Sequence, residues 1–229
     1  MASAQVIPPG GTWFDTMKRS FADVPVAEDS GISTMEFLEA AEALTTLFGI
    51  QPSYNILYNF IADGYYSLLD LLGSVAFTPV KNDLLGNIKK IRDRYLAAPT
   101  LSETLQSLVE NELKEKKYTA SGGLLWLLRG LDFTAQALRH NIANAAQELS
   151  DSFRAAYSTT LRAHHNFLVK PIFGAAMSAT PYRKDFYAKL GQDSAKSQTA
   201  LEVETAALEK IVAILKEFLA RDDIKKSVK

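Results

Sequence analysis

The chain has 229 residues, of which 47% are hydrophobic and 22% charged, a composition typical of a globular protein with a substantial buried core. Its 25 basic and 26 acidic residues nearly cancel, so strong bulk attraction to nucleic acid or to anionic lipid is not expected. The sequence contains no cysteine, which excludes disulfides, thiol catalysis and cysteine-ligated metal.

The sequence indicates a cytoplasmic protein. Its first residues, MASAQVIPPGG, lack the basic segment and apolar run of a secretory signal. The most apolar long stretch, residues 56–80, contains Asn59, Asp63 and Asp70, which a membrane-spanning helix would bury in hydrocarbon at high cost. We therefore expect no spanning helix.

In chain order, helical spacing of apolar residues begins at Thr12 and continues almost throughout. Two capping boxes are predicted, one from Ser33 and Glu36 and one from Thr100 and Glu103, each just before an apolar run. No stretch alternates as a strand would. The sequence predicts an all-α domain of about eight helices.

The stretch FTPVKNDLLGNIKKI predicts a helix with Thr78 as N-cap and Pro79 in the first turn. Its apolar face is formed by Val80, Leu84, Ile88 and Ile91. Beside that face Asp83, Asn87 and Lys90 follow at i, i+4 and i+7, which places them on one stripe. On periodicity alone this stripe is an ordinary boundary with water.

The helix predicted for residues 121–148 is apolar on two sides, which is typical of a helix between layers. One stripe is Leu124, Leu128, Leu131, Ala135, Leu138 and Ile142, and the other is Trp126, Gly130, Phe133 and Ala137. Gly122, Gly123 and Gly130 lie near Trp126 and leave space for either a ligand or a neighbouring backbone. Further helices are predicted for residues 151–169 and 199–221.

No catalytic or metal motif is evident. The three histidines are His140, His164 and His165, and none belongs to HExxH or follows Glu at the third position. There is no GxSxG elbow, Walker loop or dinucleotide fingerprint. We therefore expect neither an enzyme nor a cofactor. Taken together, however, the acid, amide and amine stripe suits a polyol, an indole suits the apolar face of a sugar ring, and a neutral histidine can donate to an amide carbonyl.

Five stretches resemble the glycolipid transfer protein family, in particular its fungal heterokaryon-incompatibility members. They are GTWFDTMKRSFADVPV, GSVAFTPVKNDLLGNIKKIRDRY, TASGGLLWLLRGLDF, HHNFLVKPIFGAAMSATPYRKDFYAKLG and the last helix. The resemblance implies a single domain over residues 1–229, with a core at about 12–222, folded as a two-layer sandwich of about eight helices. It also implies binding of one glycosphingolipid, such as glucosyl-, galactosyl- or lactosylceramide, and its transfer between membranes without ATP.

The family's Asp-x-x-x-Asn-x-x-Lys motif matches Asp83, Asn87 and Lys90, which the resemblance assigns to sugar hydroxyls. Asp83 is also assigned to the ceramide amide N–H. Trp126, before L-x-R-G-L, is the matching platform for the first sugar, and His165 matches the histidine that bonds the ceramide amide oxygen.

Transient membrane docking is implied for Phe167, where some relatives carry tryptophan, and for the nearby Lys170.

A branch of the family that carries ceramide-1-phosphate replaces the asparagine by a basic residue and the tryptophan by arginine. Asn87 and Trp126 are of the sugar type. A ceramide-1-phosphate carrier, a lipid sensor in cell-death signalling and a helical adaptor without lipid transfer are the alternatives.

Residues 49–69, GIQPSYNILYNFIADGYYSLL, are an atypical insertion relative to the family. Our hypothesis is a retained short intron, with a natural insertion in this lineage as the alternative. The sequence does not indicate an oligomeric state.

Overall fold

The computed structural model describes residues 7–49 and 78–228, which form helices joined by short turns. The nine α-helices of these ranges are α1 Thr34–Thr45, α2 Thr78–Ala97, α3 Leu105–Glu115, α4 Thr119–Ala143, α5 Leu149–Thr159, α6 Val169–Ser178, α7 Arg183–Leu190, α8 Ser194–Leu219 and α9 Asp222–Lys225. Short 3-10 helices cover Trp13–Thr16, Phe21–Asp23, Thr46–Gly49, Pro99–Leu101 and Leu161–Ala163. The all-α prediction is confirmed for these ranges. Apart from Gly49, the predicted insertion at 49–69 lies outside the described residues.

Helix α4 is central, and it packs against α2, α3, α5 and α8. Its first predicted stripe is buried except for Ile142, which is partly exposed. In the second stripe Phe133 and Ala137 are buried, whereas Trp126 and Gly130 are partly exposed. The helix is therefore covered on two sides, as predicted, and its cover is incomplete where the indole lies.

A buried carboxylate fixes the start of α4. Glu112 of α3 is 3% exposed and accepts hydrogen bonds from the backbone N–H groups of Ala120 at 3.1 Å and Ser121 at 2.7 Å. The Ser121 hydroxyl donates to the same carboxylate at 2.7 Å. First-turn N–H groups lack partners within their own helix, so Glu112 supplies the acceptors that α4 needs.

A second buried carboxylate, Glu204 of α8, holds the N-terminal segment. It accepts from the Phe21 N–H at 3.1 Å and from the Ser20 hydroxyl. Burial raises the pKa of Glu204, and the two hydrogen bonds act in the opposite direction. The side chain thus links the chain before α1 to the longest helix.

The apolar run from Thr12 forms two 3-10 helices, Trp13–Thr16 and Phe21–Asp23, instead of the continuous helix that its spacing suggested. The predicted pair of Ser33 and Glu36 does begin α1, but the Ser33 hydroxyl donates to the Glu36 carboxylate rather than accepting from the backbone.

The capping box predicted at Thr100 and Glu103 is wrong. Thr100 belongs to a 3-10 helix, and α3 is capped four residues later by Thr104. The Thr104 hydroxyl accepts from the Ser107 N–H at 3.0 Å, and the Ser107 hydroxyl oxygen accepts from the Thr104 N–H at 3.1 Å. A serine hydroxyl takes the part that a glutamate carboxylate plays in the usual motif.

The helix predicted for residues 151–169 is interrupted at Thr160, where ψ is −87°. The hydroxyls of Thr159 and Thr160 donate to the Ala156 carbonyl at 3.0 and 2.7 Å, a local bond that competes with continued helix. As a result, the segment with both adjacent histidines is a connection between α5 and α6.

We predict that Glu112→Ala lowers the free energy of unfolding by about 2–4 kcal/mol, because it leaves buried donors of α4 without an acceptor. The control is Glu110→Ala on the same helix. Glu110 pairs with Arg221 at 2.8 Å with side chains 42% and 47% exposed, so its loss costs less than about 1 kcal/mol. Urea denaturation measures both, and equal losses would contradict the capping role.

Candidate functional site

A pocket of about 530 Å³ lies between α2, α4 and the connection from α5 to α6. Its polar lining residues are Asp83, Asn87, Lys90, Trp126, His164, His165 and Asn166. Its apolar lining residues are Pro79, Val80, Leu84, Gly130, Phe133, Leu161, Val169, Ile172 and Phe173. The pocket therefore joins hydrogen-bonding groups to an apolar wall, and five of the predicted site residues share it.

The polar stripe of α2 forms a hydrogen-bonded ladder. Asn87 is 3% exposed; its amide N–H donates to Asp83 at 3.3 Å, and its amide oxygen accepts from Lys90 at 2.9 Å. Asp83 and Lys90 are both exposed on either side of it. An acceptor and a donor are thus presented side by side, in an order fixed by the buried amide.

Asp83 is exposed at the opening of the pocket, yet the surrounding protein removes enough water to raise the pKa of its carboxyl. The charge of Lys90 and the hydrogen bond from Asn87 act in the opposite direction. Incoming hydrogen-bond donors would favour the carboxylate form in the same way.

Two glycines bring α4 close to α2 beside the indole. A Cβ at Gly123 would lie 3.1 Å from Lys90 Cβ and 3.2 Å from the Asn87 backbone oxygen, and one at Gly130 would lie 2.6 Å from Leu84 Cδ2. A Cβ at Gly122 would meet no atom of another element within 4 Å. Gly123 therefore serves the approach of a neighbouring helix, whereas Gly130 leaves room for Leu84 of that helix and also lines the pocket.

One guanidinium group and two imidazole rings lie near the indole of Trp126. The Arg129 guanidinium carbon lies 4.5 Å from the ring centroid, within the range of a cation–π interaction. The His165 ring is nearly parallel to the indole, at 10° and 6.4 Å between centroids, and His164 is edge-on at 6.3 Å. Arg129, one turn beyond the tryptophan, was not identified from the sequence, although its i+3 spacing allowed the contact.

His165 is held by Tyr157 and Phe173. Its Nδ1 lies 3.1 Å from the Tyr157 hydroxyl, and its ring centroid lies 4.4 Å from that of Phe173. Burial lowers the pKa of His165, and the neighbouring charges of His164, Lys170 and Arg129 lower it further. The ring is therefore neutral at neutral pH. Tyr157 was not identified from the sequence as a site residue, because the break after α5 that brings it to His165 has no recognisable spacing.

The predicted docking residues do not line the pocket, but they lie in sequence between residues that do. Phe167 is 79% exposed and Leu168 is 64% exposed, while Ile172, at 45%, also lines the pocket. The Asn166 side chain accepts from the N–H groups of Leu168 at 2.9 Å and Val169 at 3.1 Å, which fixes the turn before α6. Lys170 in the first turn is exposed as well. None of the described helices is both long and apolar enough to cross a membrane.

A helical protein with a pocket that joins a polar ladder to apolar walls is suited to an amphipathic ligand. The family model for glycolipid transfer protein, GLTP, matches residues 32–192. A glycolipid transfer protein of Aureobasidium melanogenum is 59% identical over 218 residues, covering 95% of this chain and 98% of the relative. The chain belongs to the glycolipid transfer protein family, as its resemblance predicted.

Solved structures agree with the family. HET-C2, a fungal glycolipid transfer protein, matches with a TM-score of 0.81 and 53% identity over 93% of this chain and 100% of that chain. FAPP2, which selects simple glycosphingolipids using the GLTP fold, matches with a TM-score of 0.76 and 33% identity over 95% and 99% of the two chains. These likenesses confirm the predicted fold class.

We predict that the free energy of unfolding of the Gly122→Ala variant exceeds that of the Gly123→Ala variant by about 1–3 kcal/mol. Both changes raise helix propensity, by up to about 1 kcal/mol. Only at position 123 does the new methyl group meet α2, where overpacking costs about 1–3 kcal/mol. Urea denaturation of the two variants measures the difference. Equal stabilities would show that the approach of α4 to α2 is not tight.

Proposed function

We propose that this protein binds one glycosphingolipid in the pocket and transfers it between membranes without ATP. The observation that carries the proposal is the meeting of Asp83, Asn87, Lys90, Trp126 and His165 in one pocket with an apolar wall. The activity named for the Aureobasidium relative and the selection of simple glycosphingolipids by FAPP2 support it. Residues 1–229, with the core at about 12–222, act as one domain.

The sugar is recognised by the ladder and the indole. The exposed Asp83 carboxylate accepts from one hydroxyl, and Lys90 donates to a neighbouring one, as polyols require. Asn87 holds both groups in register. Trp126 offers an apolar surface to the C–H face of the ring. Glucosyl-, galactosyl- and lactosylceramide all present these features.

The ceramide amide is recognised by a hydrogen-bond acceptor on one side of the pocket and a donor on the other. Asp83 accepts from the amide N–H, and the neutral His165 donates to the amide oxygen. The lipid chains continue along the apolar wall, which includes Leu84, Phe133 and Phe173. Each buried methylene contributes about 0.8 kcal/mol. The chains therefore supply affinity, and the polar groups supply selectivity.

Membrane contact is made by the exposed residues next to the mouth of the pocket, chiefly Phe167 and Lys170, with Leu168 and Ile172 beside them. An aromatic side chain enters the headgroup region, and a lysine contacts lipid phosphate. A single small apolar patch binds weakly, which permits release after each transfer. The protein accordingly works in the cytoplasm and associates with membranes transiently.

We predict that Trp126→Ala and Asp83→Val each reduce vesicle-to-vesicle transfer of galactosylceramide by roughly 10–100-fold, because each removes headgroup contacts worth about 1.5–3 kcal/mol. The matched control is Asp93→Val, an exposed position on α2 that pairs with Lys89 and does not line the pocket. Circular dichroism checks that helicity is retained.

The same assay with ceramide-1-phosphate separates the alternatives. A preference of the unmodified protein for the phosphorylated lipid would overturn the glycolipid proposal in favour of that branch. Absence of any transfer, with no lipid recovered by native mass spectrometry, would favour a helical adaptor.

We predict that Phe167→Ala weakens binding to phosphatidylcholine vesicles by about tenfold or more, since burying a phenylalanine side chain contributes about 1.5–3 kcal/mol. Binding of a water-soluble short-chain galactosylceramide should be unchanged, because Phe167 does not line the pocket. The control is Leu96→Ala, which removes a 65% exposed apolar side chain at the other end of α2. Vesicle sedimentation measures the binding, and an equal effect of both changes would argue against docking through Phe167.

A further inference from the structure

The hydroxyl of Tyr157 makes a hydrogen bond that the recognition scheme above does not use. It lies 3.1 Å from Nδ1 of His165, and the tyrosine, on α5, is 6% exposed. Its ring stacks on Phe173 at 5.4 Å and 13°, and it lies edge-on to Phe133 at 6.3 Å. Two phenylalanine rings thus fix the position of the hydroxyl.

The direction of this hydrogen bond follows from the protons available. Within residues 7–49 and 78–228, His165 is the one hydrogen-bond partner of the Tyr157 hydroxyl. A buried hydroxyl needs an acceptor for its proton. If His165 donated instead, the phenol proton would be left without an acceptor in the apolar cluster. Tyr157 therefore donates, and Nδ1 accepts.

Burial and the charges around His165 keep its ring neutral, with one proton. The groups that face it are Arg129 from α4, Lys170 from α6, His164 in the connection and Tyr157 from α5. Burial disfavours the imidazolium most, and positive charge on His164, Lys170 and Arg129 disfavours it further. Burial raises the pKa of Tyr157, against the charge of Arg162, so the phenol keeps its proton. The single proton of the ring is then on Nε2.

We propose that Tyr157 is a positioning residue that holds His165 in the tautomer protonated on Nε2, so that the pocket presents a donor to the carbonyl of an amide-linked lipid. This inference rests on the proposed function and deepens it. In the other tautomer Nε2 would carry a lone pair and would repel the carbonyl oxygen. With Asp83 as acceptor and His165 as donor, the pocket distinguishes the two ends of an amide.

The test begins with the lipid-free protein. Nitrogen-15 NMR of the histidine rings at neutral pH should show Nε2 of His165 protonated and Nδ1 unprotonated in the unmodified chain. Tyr157→Phe keeps the stacked ring and removes the hydroxyl, so the His165 signals should shift toward a mixture of tautomers. Tyr187→Phe removes the buried hydroxyl of a tyrosine on α7 that does not line the pocket, and it should leave them unchanged.

Transfer of galactosylceramide gives the second measurement. Tyr157→Phe should reduce it about three- to tenfold, the effect of one hydrogen bond, and Tyr187→Phe should not. Combined with His165→Ala, the Tyr157 change should have no further effect, because it acts through the histidine.

Protonation of Nδ1 in the unmodified protein would overturn the proposal, as would full transfer by Tyr157→Phe. If Tyr157→Phe does not fold, the tautomer of the unmodified protein decides. Failure of the unmodified protein to transfer any glycolipid would overturn the proposed function instead, whatever the NMR signals show.

Discussion

The site depends on the close approach of α2 and α4. Where Gly123 faces Asn87 and Lys90, a methyl group would already be in tight contact, and Gly130 leaves room for Leu84 in the same way. This approach places Trp126, one turn along from Gly123, at the pocket that the polar ladder lines. Glycine costs helix stability, and Glu112 and the buried stripe of α4 supply the compensating interactions. The same glycines therefore affect both the stability of α4 and the geometry of the pocket.

In the proposed function, the groups that select the lipid and the groups that supply affinity lie in different parts of the pocket. Its polar groups support one another before any ligand arrives, since Asn87 bonds both Asp83 and Lys90 and Tyr157 bonds His165. Few new orientations have to be fixed on binding, which limits the entropic cost. The apolar wall, in contrast, is formed by side chains of the core itself. In the proposed function the lipid chains contact these core side chains, while the polar groups contact the headgroup and the amide.

The local pattern of the sequence was sufficient for some elements and insufficient for others. The order of Asp83, Asn87 and Lys90 is a property of one helix, so their alignment on one stripe could be predicted from spacing alone, whereas the hydrogen bonds between them could not. The continuous helix predicted through residues 151–169 was wrong, because Thr159 and Thr160 bond back to a carbonyl and periodicity carries no information on that competition. The cap of α3 was misplaced for a related reason, since a serine replaced the expected carboxylate.

By itself the sequence determined the helical class, the two covered sides of α4, the polar stripe of α2 and, through long motifs, the family. These features depend on residues close together in the sequence or on similarity to the family's motifs. Only the tertiary structure decided that the stripe and the indole share a pocket and that Tyr157 is the partner of His165. Those contacts join different helices or depend on a break between them. The distances between these side chains depend on how closely the backbones of different helices pack. No repeat along the chain indicates how close that packing is.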